Sequence, residues 1–208
     1  MMKGISATAR VRIARVAIYG IGFAPAAWTF YLGVIDQLGA DPMKTLEQTL
    51  GLWALRFLIV TLAITPVRDL FGLNLLRYRR TVGLLCFYYA LMHLLTYVVL
   101  DQGLDFAAIW ADILKRPYIT VGMLSFVILV PLALTSSNMM IRYLGGPAWN
   151  RLHRWVYLAA AAAAVHYLLV VKSWPMEPLV YFAIVTTLLA YRLFKRLRGR
   201  RRSRLASA

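Results

Sequence analysis

The sequence predicts an all-α integral membrane protein, a six-transmembrane-helix bundle with both termini cytoplasmic. Three observations predict it. Hydrophobic residues make up 61% of the 208-residue chain and charged residues only 15%, whereas a soluble domain carries about 25% charge. The apolar residues fall in long runs, six of them near the roughly 20 residues of helix that a bilayer core of about 30 Å requires. The 24 basic residues lie in short clusters between those runs. Scattered over a soluble fold, a formal charge of +16 would suggest nucleic acid; clustered between apolar runs, it marks the loops of a membrane protein.

The predicted spans are residues 16–35, 51–67, 81–100, 117–141 (only part of it spanning), 152–171 and 178–194. The first follows Arg10, Arg12 and Arg15 and stays apolar for too long to be a signal-peptide core, so an uncleaved helix is expected. The third and fourth are the clearest. The second contains Arg56, and the last is short with Arg192 near its end, where a long side chain can snorkel. These bounds give a basic N-terminus (1–15), a transmembrane domain (16–194) and a basic tail (195–208).

Orientation follows from the loops. With the N-terminus inside, nineteen basic residues are cytoplasmic and only Lys44, Lys115, Arg116 and Lys172 are outside. Seven of the eight acids fall outside, Asp69 being the exception. The positive-inside rule therefore puts both termini in the cytoplasm. Trp28, Trp53, Trp110, Trp149 and Trp174 lie near span ends, where aromatic belts form. The basic tail reads as a topology determinant drawn to anionic lipid.

Two of the three histidines, His93 and His166, lie well inside predicted spans. Ionisable side chains are costly there and mark function by default. Counted at 1.5 Å per residue, His93 is about 18 Å and His166 about 21 Å from the inner ends of their helices. Both helices run outward, so the imidazoles can meet at one depth. Two imidazoles do not complete a zinc site, and no Cys, Asp or Glu stands near them in these spans. A porphyrin supplies four nitrogens of its own, and two axial histidines would fill its iron and favour electron transfer over oxygen chemistry. A structural histidine pair is the alternative. Gly83, Ala90 and the alanines at 159–164 are small residues that suit a flat macrocycle or close helix packing equally.

His153, at the inner end of the fifth span, is thirteen residues from His166. That distance is about 20 Å of rise but about 220° of rotation, so both rings can share one side only if the helix bends or begins near His153. The lone Cys86 excludes an intrachain disulfide and a thiolate metal site.

Several segments resemble a known family. They are Arg79-Arg80-Thr81-Val82-Gly83 leading to Met92-His93, Arg116-Pro117-Tyr118-Ile119-Thr120-Val121-Gly122, Leu132-Ala133-Leu134-Thr135-Ser136-Ser137, and Trp149-Asn150-Arg151-Leu152-His153-Arg154 leading to His166-Tyr167. The resemblance is to the MsrQ family of haem-binding membrane subunits, within the ferric-reductase-like transmembrane superfamily. It implies six spans, one or two b-type haems, FMN as a further cofactor, and the inner membrane of a Gram-negative bacterium. It also implies electron delivery to a periplasmic molybdopterin enzyme, MsrP, which repairs oxidised methionines. The donors would be the quinol pool or a cytosolic flavin reductase. The superfamily often carries four histidines; here Arg79 stands fourteen residues before His93, where a histidine is expected. Arg79 is thus expected to hold a haem propionate or flavin phosphate, and Arg56 to clamp a propionate on the outer side or to snorkel. The alternatives are a ferric or cupric reductase or quinol-oxidising cytochrome b serving another acceptor, and a haem-free transporter or assembly factor. The absence of a G-x-G-x-x-G motif speaks against a self-sufficient reductase.

Overall fold

With no water in a bilayer core to pair the backbone, apolar runs must satisfy their own N–H and C=O groups, and the helix does this within one segment. The computed structural model describes residues 6–171 and 175–206, with side chains to residue 199, and every regular element among them is helical. Lys3, Lys172, Trp174 and the side chains of Arg200, Arg201, Arg202 and Arg204 lie outside the described residues.

Helix α1 (Ala7–Val34) starts at Ser6, whose hydroxyl accepts the Ala9 N–H at 3.2 Å. Helix α2 (Pro42–Phe71) has an Asp41 cap, a proline in its first turn and a left-handed glycine, Gly72, at its end. A single turn at Leu76–Tyr78 leads into α3 (Arg79–Leu95), which continues as a π-helical turn, Thr96–Asp101. The short α4 (Phe106–Lys115) is capped by Asp105 and followed by Pro117, which opens α5 (Pro117–Leu134). Next come α6 (Asn138–Leu144), α7 (Gly146–His153), α8 (Val156–Val170) and α9 (Met176–Ala206).

Five segments are long and apolar enough to cross a membrane: Ala7–Val34, Pro42–Phe71, Leu76–Asp101, Pro117–Leu134 and Met176–Gly199. The chain is a multi-pass membrane protein. Two expected spans are redrawn. Residues 117–141 break after Leu134: Thr135 and Ser136 donate their hydroxyls to the Pro131 and Leu132 carbonyls, and Ser137 caps a new helix. Residues 152–171 contain a turn at Arg154 and Trp155, leaving α8 with 15 residues, about 22 Å of rise.

Helix α2 packs mainly on α3, and α5 on α8, with α9 closing against α8. Small residues bring these backbones together, as expected where dispersion and interhelical hydrogen bonds drive association. Ser125 of α5 donates to the Ala159 carbonyl of α8 at 2.9 Å, and Ala159 and Ala160 are fully buried. A Cβ on Gly22 would fall 2.5 Å from Leu85 Cδ1, so the glycine lets α1 lie on α3 with Leu85 in its present place. Beside it, Tyr89 sends its hydroxyl to the backbone of α1 next to Pro25. That hydroxyl donates to the Gly22 carbonyl (2.7 Å) and accepts from the Ala26 N–H (3.0 Å). Trp28 and Trp110 are exposed, as belt residues should be, but Trp53 and Trp149 are packed against side chains of the site below.

Candidate functional site

The bundle brings His93 of α3 and His166 of α8 together, with ring centroids 6.1 Å apart and planes at 69°. Each is held the same way. His93 Nδ1 is 2.9 Å from the Glu47 carbonyl of α2, and His166 Nδ1 is 2.7 Å from the Tyr118 carbonyl of α5. A carbonyl oxygen only accepts, so each Nδ1 carries the proton and each Nε2 keeps its lone pair. Metal-binding histidines are commonly oriented by such a bond from the other ring nitrogen.

Why are these carbonyls reachable inside helices? A helical side chain leans over the turn before it and screens the carbonyl four residues back. Four residues after Glu47 stands Gly51, and four after Tyr118 stands Gly122. A Cβ on Gly51 would lie 3.1 Å from His93 Nδ1, and one on Gly122 would lie 2.7 Å from His166 Nδ1. The two glycines are therefore the seats of the two imidazoles. Sequence reasoning selected other small residues. A Cβ on Gly83 would meet Thr61 Cγ2 at 3.6 Å, ordinary packing distance, and Ala159, Ala160 and Ala164 belong to the apolar core. The available signal was the spacing: a glycine one helical turn after a residue facing the histidine.

The 6.1 Å between ring centroids would accommodate one metal held by a nitrogen of each imidazole at about 2 Å. Among the described residues no three His, Cys, Asp or Glu side chains gather as a metal site. The donor set thus suits a metal whose remaining ligands arrive with it, as in a porphyrin. Comparison with known proteins agrees. Residues 50–164 match the family model described as ferric reductase like transmembrane component. A protein of Brucella anthropi called "Protein-methionine-sulfoxide reductase heme-binding subunit MsrQ" is 62% identical over 178 residues, covering 86% of this chain and 80% of that one. Its Brucella ovis counterpart, of the same name, is 64% identical over 176 residues, covering 85% and 80%.

The chain belongs to the MsrQ family.

No solved structure matches it. The ferric-reductase match takes in Gly51, His93, Gly122 and His153, while His166 lies two residues past its end.

The remaining candidates of this MsrQ-family chain lie apart from the pair. His153 ends α7, before the turn that opens α8, and stacks on Trp149 with centroids 3.8 Å apart. Its Nε2 is 3.1 Å from the Thr135 hydroxyl. That hydroxyl already donates to the Pro131 carbonyl, so it accepts here and Nε2 carries the proton. The tautomer is the reverse of that at His93 and His166. Arg56 turns toward α9, donating from Nε to the Tyr181 hydroxyl at 2.8 Å, with its guanidinium carbon 4.8 Å from the Trp53 ring centroid. Arg79 lies within electrostatic range of His153 and against Tyr157. Arg192, expected at the interface, instead reaches inward to Tyr157, Leu62 and Thr65.

Proposed function

We propose that this chain is the haem b membrane subunit that delivers electrons across the bacterial inner membrane to a periplasmic methionine sulfoxide reductase, MsrP. The observation that carries the reading is the His93–His166 pair, 6.1 Å apart with both Nδ1–H groups committed to backbone carbonyls. His93 and His166 would hold a haem, which would supply a one-electron carrier suited to electron transfer rather than oxygen chemistry. The protein holds the two imidazoles in the ligating tautomer, and Gly51 and Gly122 let them approach. The relatives named as heme-binding MsrQ subunits support the assignment.

The same reading gives six spans with cytoplasmic termini, the transmembrane domain running from 16 to 194 between the basic segments 1–15 and 195–208. In support, α8 is enclosed by α5 and α9 and begins just after the α7 turn, so α7 and α8 together supply the length that α8 lacks. Arg56, fixed between Trp53 and Tyr181, is assigned to a propionate on the outer side. His153 and Arg79 form the inner site. There a second haem would exchange the His153–Thr135 bond for the metal, and Arg79 would take a propionate or the phosphate of FMN. Electrons enter on that side from quinol or a cytosolic flavin reductase.

The test is the spectrum of the purified chain. A Soret band that shifts on dithionite reduction, with pyridine haemochrome giving haem per chain, is expected. A colourless protein that stays colourless when supplied with haem refutes the assignment, and one haem per chain removes the second site.

A further inference from the structure

The inner end of the bundle contains a concentration of charge that the histidine pair does not use. The Arg192 guanidinium donates from Nη2 to the Leu62 carbonyl (2.6 Å) and to Thr65 Oγ1 (3.3 Å), and from Nη1 to the Tyr157 hydroxyl (3.1 Å). It also lies 5.2 Å from the Tyr157 ring centroid. The Leu62 contact has a local cause: four residues on stands Pro66, which has no N–H to pair that carbonyl. A neutral donor would meet that need. The positive charge and the remaining donors call for another explanation.

Arg192 Nε is buried without a partner. Arg79, from the first turn of α3, lies close enough to Arg192 and Tyr157 to interact electrostatically with both. Two guanidinium groups so placed repel one another. Among the described residues neither enters an ion pair, and Asp69, one turn beyond Thr65, is engaged by Lys195, Arg68 and Tyr191. Guanidinium forks fit oxyanions, and an anion between them would turn the repulsion into attraction. The Nε of Arg192, the fork of Arg79 and the Tyr157 hydroxyl are more donors than the two oxygens of a carboxylate require, and they suit the three of a phosphate.

We propose that Arg192, Arg79 and Tyr157 form a phosphate-binding site at the inner end of α2, α3, α8 and α9. The phosphate comes from a lipid headgroup or from a soluble phosphate. The site rests on the reading of Arg79 as an anion-binding residue and is independent of haem at the outer pair.

The test uses the full chain in a neutral detergent and reads its thermal unfolding midpoint. The probes are inorganic phosphate against chloride at equal ionic strength, and dioleoylphosphatidylglycerol against dioleoylglycerol. A saturable rise with a phosphate-bearing probe is expected, with apparent affinity at least about tenfold weaker in Arg192→Gln and partly restored in Arg192→Lys. Tyr157→Phe keeps the ring and should weaken the response as well, which covers the case of an unstable Arg192 variant. A response to phosphatidylglycerol alone identifies a headgroup; a response to both phosphate probes identifies a soluble phosphate. The site is overturned if neither phosphate probe exceeds its control, or if Arg192→Gln and Tyr157→Phe both respond as the wild type does. The Soret band, read in the same samples, reports the outer pair separately.

Discussion

Replacing Gly122 with alanine tests the histidine seat directly. The new Cβ would stand 2.7 Å from His166 Nδ1, 2.9 Å from Cε1 and 3.2 Å from Cγ. Non-bonded heavy atoms settle near 3.5 Å, so the ring must withdraw by about 0.5–1 Å. The withdrawal acts on the atom that donates to Tyr118 at 2.7 Å. Metal–nitrogen bonds tolerate only about 0.2 Å of error, and loss of such a supporting bond typically costs about 10–100-fold in metal affinity. Haem affinity in Gly122→Ala should fall by at least that factor. In Gly51→Ala the Cβ would lie 3.1 Å from His93 Nδ1, a contact relieved by a few tenths of an ångström, so the loss should be smaller. Gly83→Ala, whose nearest neighbour would be Thr61 Cγ2 at 3.6 Å, serves as the control. Haem per chain and the reduced-minus-oxidised spectrum, measured on proteins purified in parallel, should rank wild type with Gly83→Ala, then Gly51→Ala, then Gly122→Ala. A Gly122→Ala protein with full haem content and an unchanged Soret band would refute the proposed seat.

His93→Ala and His166→Ala should each abolish the haem signal of the outer pair, while His153→Ala spares it; equal losses in all three would show that the sites are not separate. Tyr89→Phe removes the hydroxyl that bridges the Gly22 carbonyl and the Ala26 N–H of α1, and should lower stability by about 1–2 kcal/mol. Denaturation in mixed micelles measures it, and wild-type stability would disprove the bridge. Thr135→Val removes the acceptor that fixes the His153 proton on Nε2. The imidazole 15N resonances should then show a change of tautomer at His153 and none at His93 or His166.

The helical class, most of the spans and the histidine pair were legible because each rests on a property of the residues themselves: hydropathy over 20 positions, basic loops, and ionisable groups at depth. What was not legible depends on neighbours distant in sequence. The run from 117 to 141 was read as only partly spanning, but where it stops was not visible: α5 ends at Leu134 and Ser137 caps the next helix. Nothing in the third span announced the π-helical turn Thr96–Asp101 just beyond His93, although such turns often lie beside functional residues. Arg192 read as a snorkelling residue because only its position near a span end was visible; its partners Tyr157 and Leu62 are 35 and 130 residues away. The proline at 66 was the available clue, since a proline in a buried helix leaves one carbonyl in need of a donor.

The contrast among the three histidines follows from the kind of acceptor each ring meets. At His93 and His166 the acceptor is a helical carbonyl, uncovered by a glycine one turn later, and a carbonyl forces the proton onto the nitrogen that touches it. Since Nδ1 makes that contact, Nε2, the nitrogen farther from the backbone, is left with its lone pair. His153 meets a hydroxyl already committed to Pro131, and it makes that contact through Nε2. Its lone pair is therefore on Nδ1, beside its own main chain, where a bulky planar group has less room. Chain spacing alone already sets His153 and His166 about 220° apart around a straight helix. The acceptors separate them: one ring is prepared to ligate as it stands, and the other must first give up the bond that holds it.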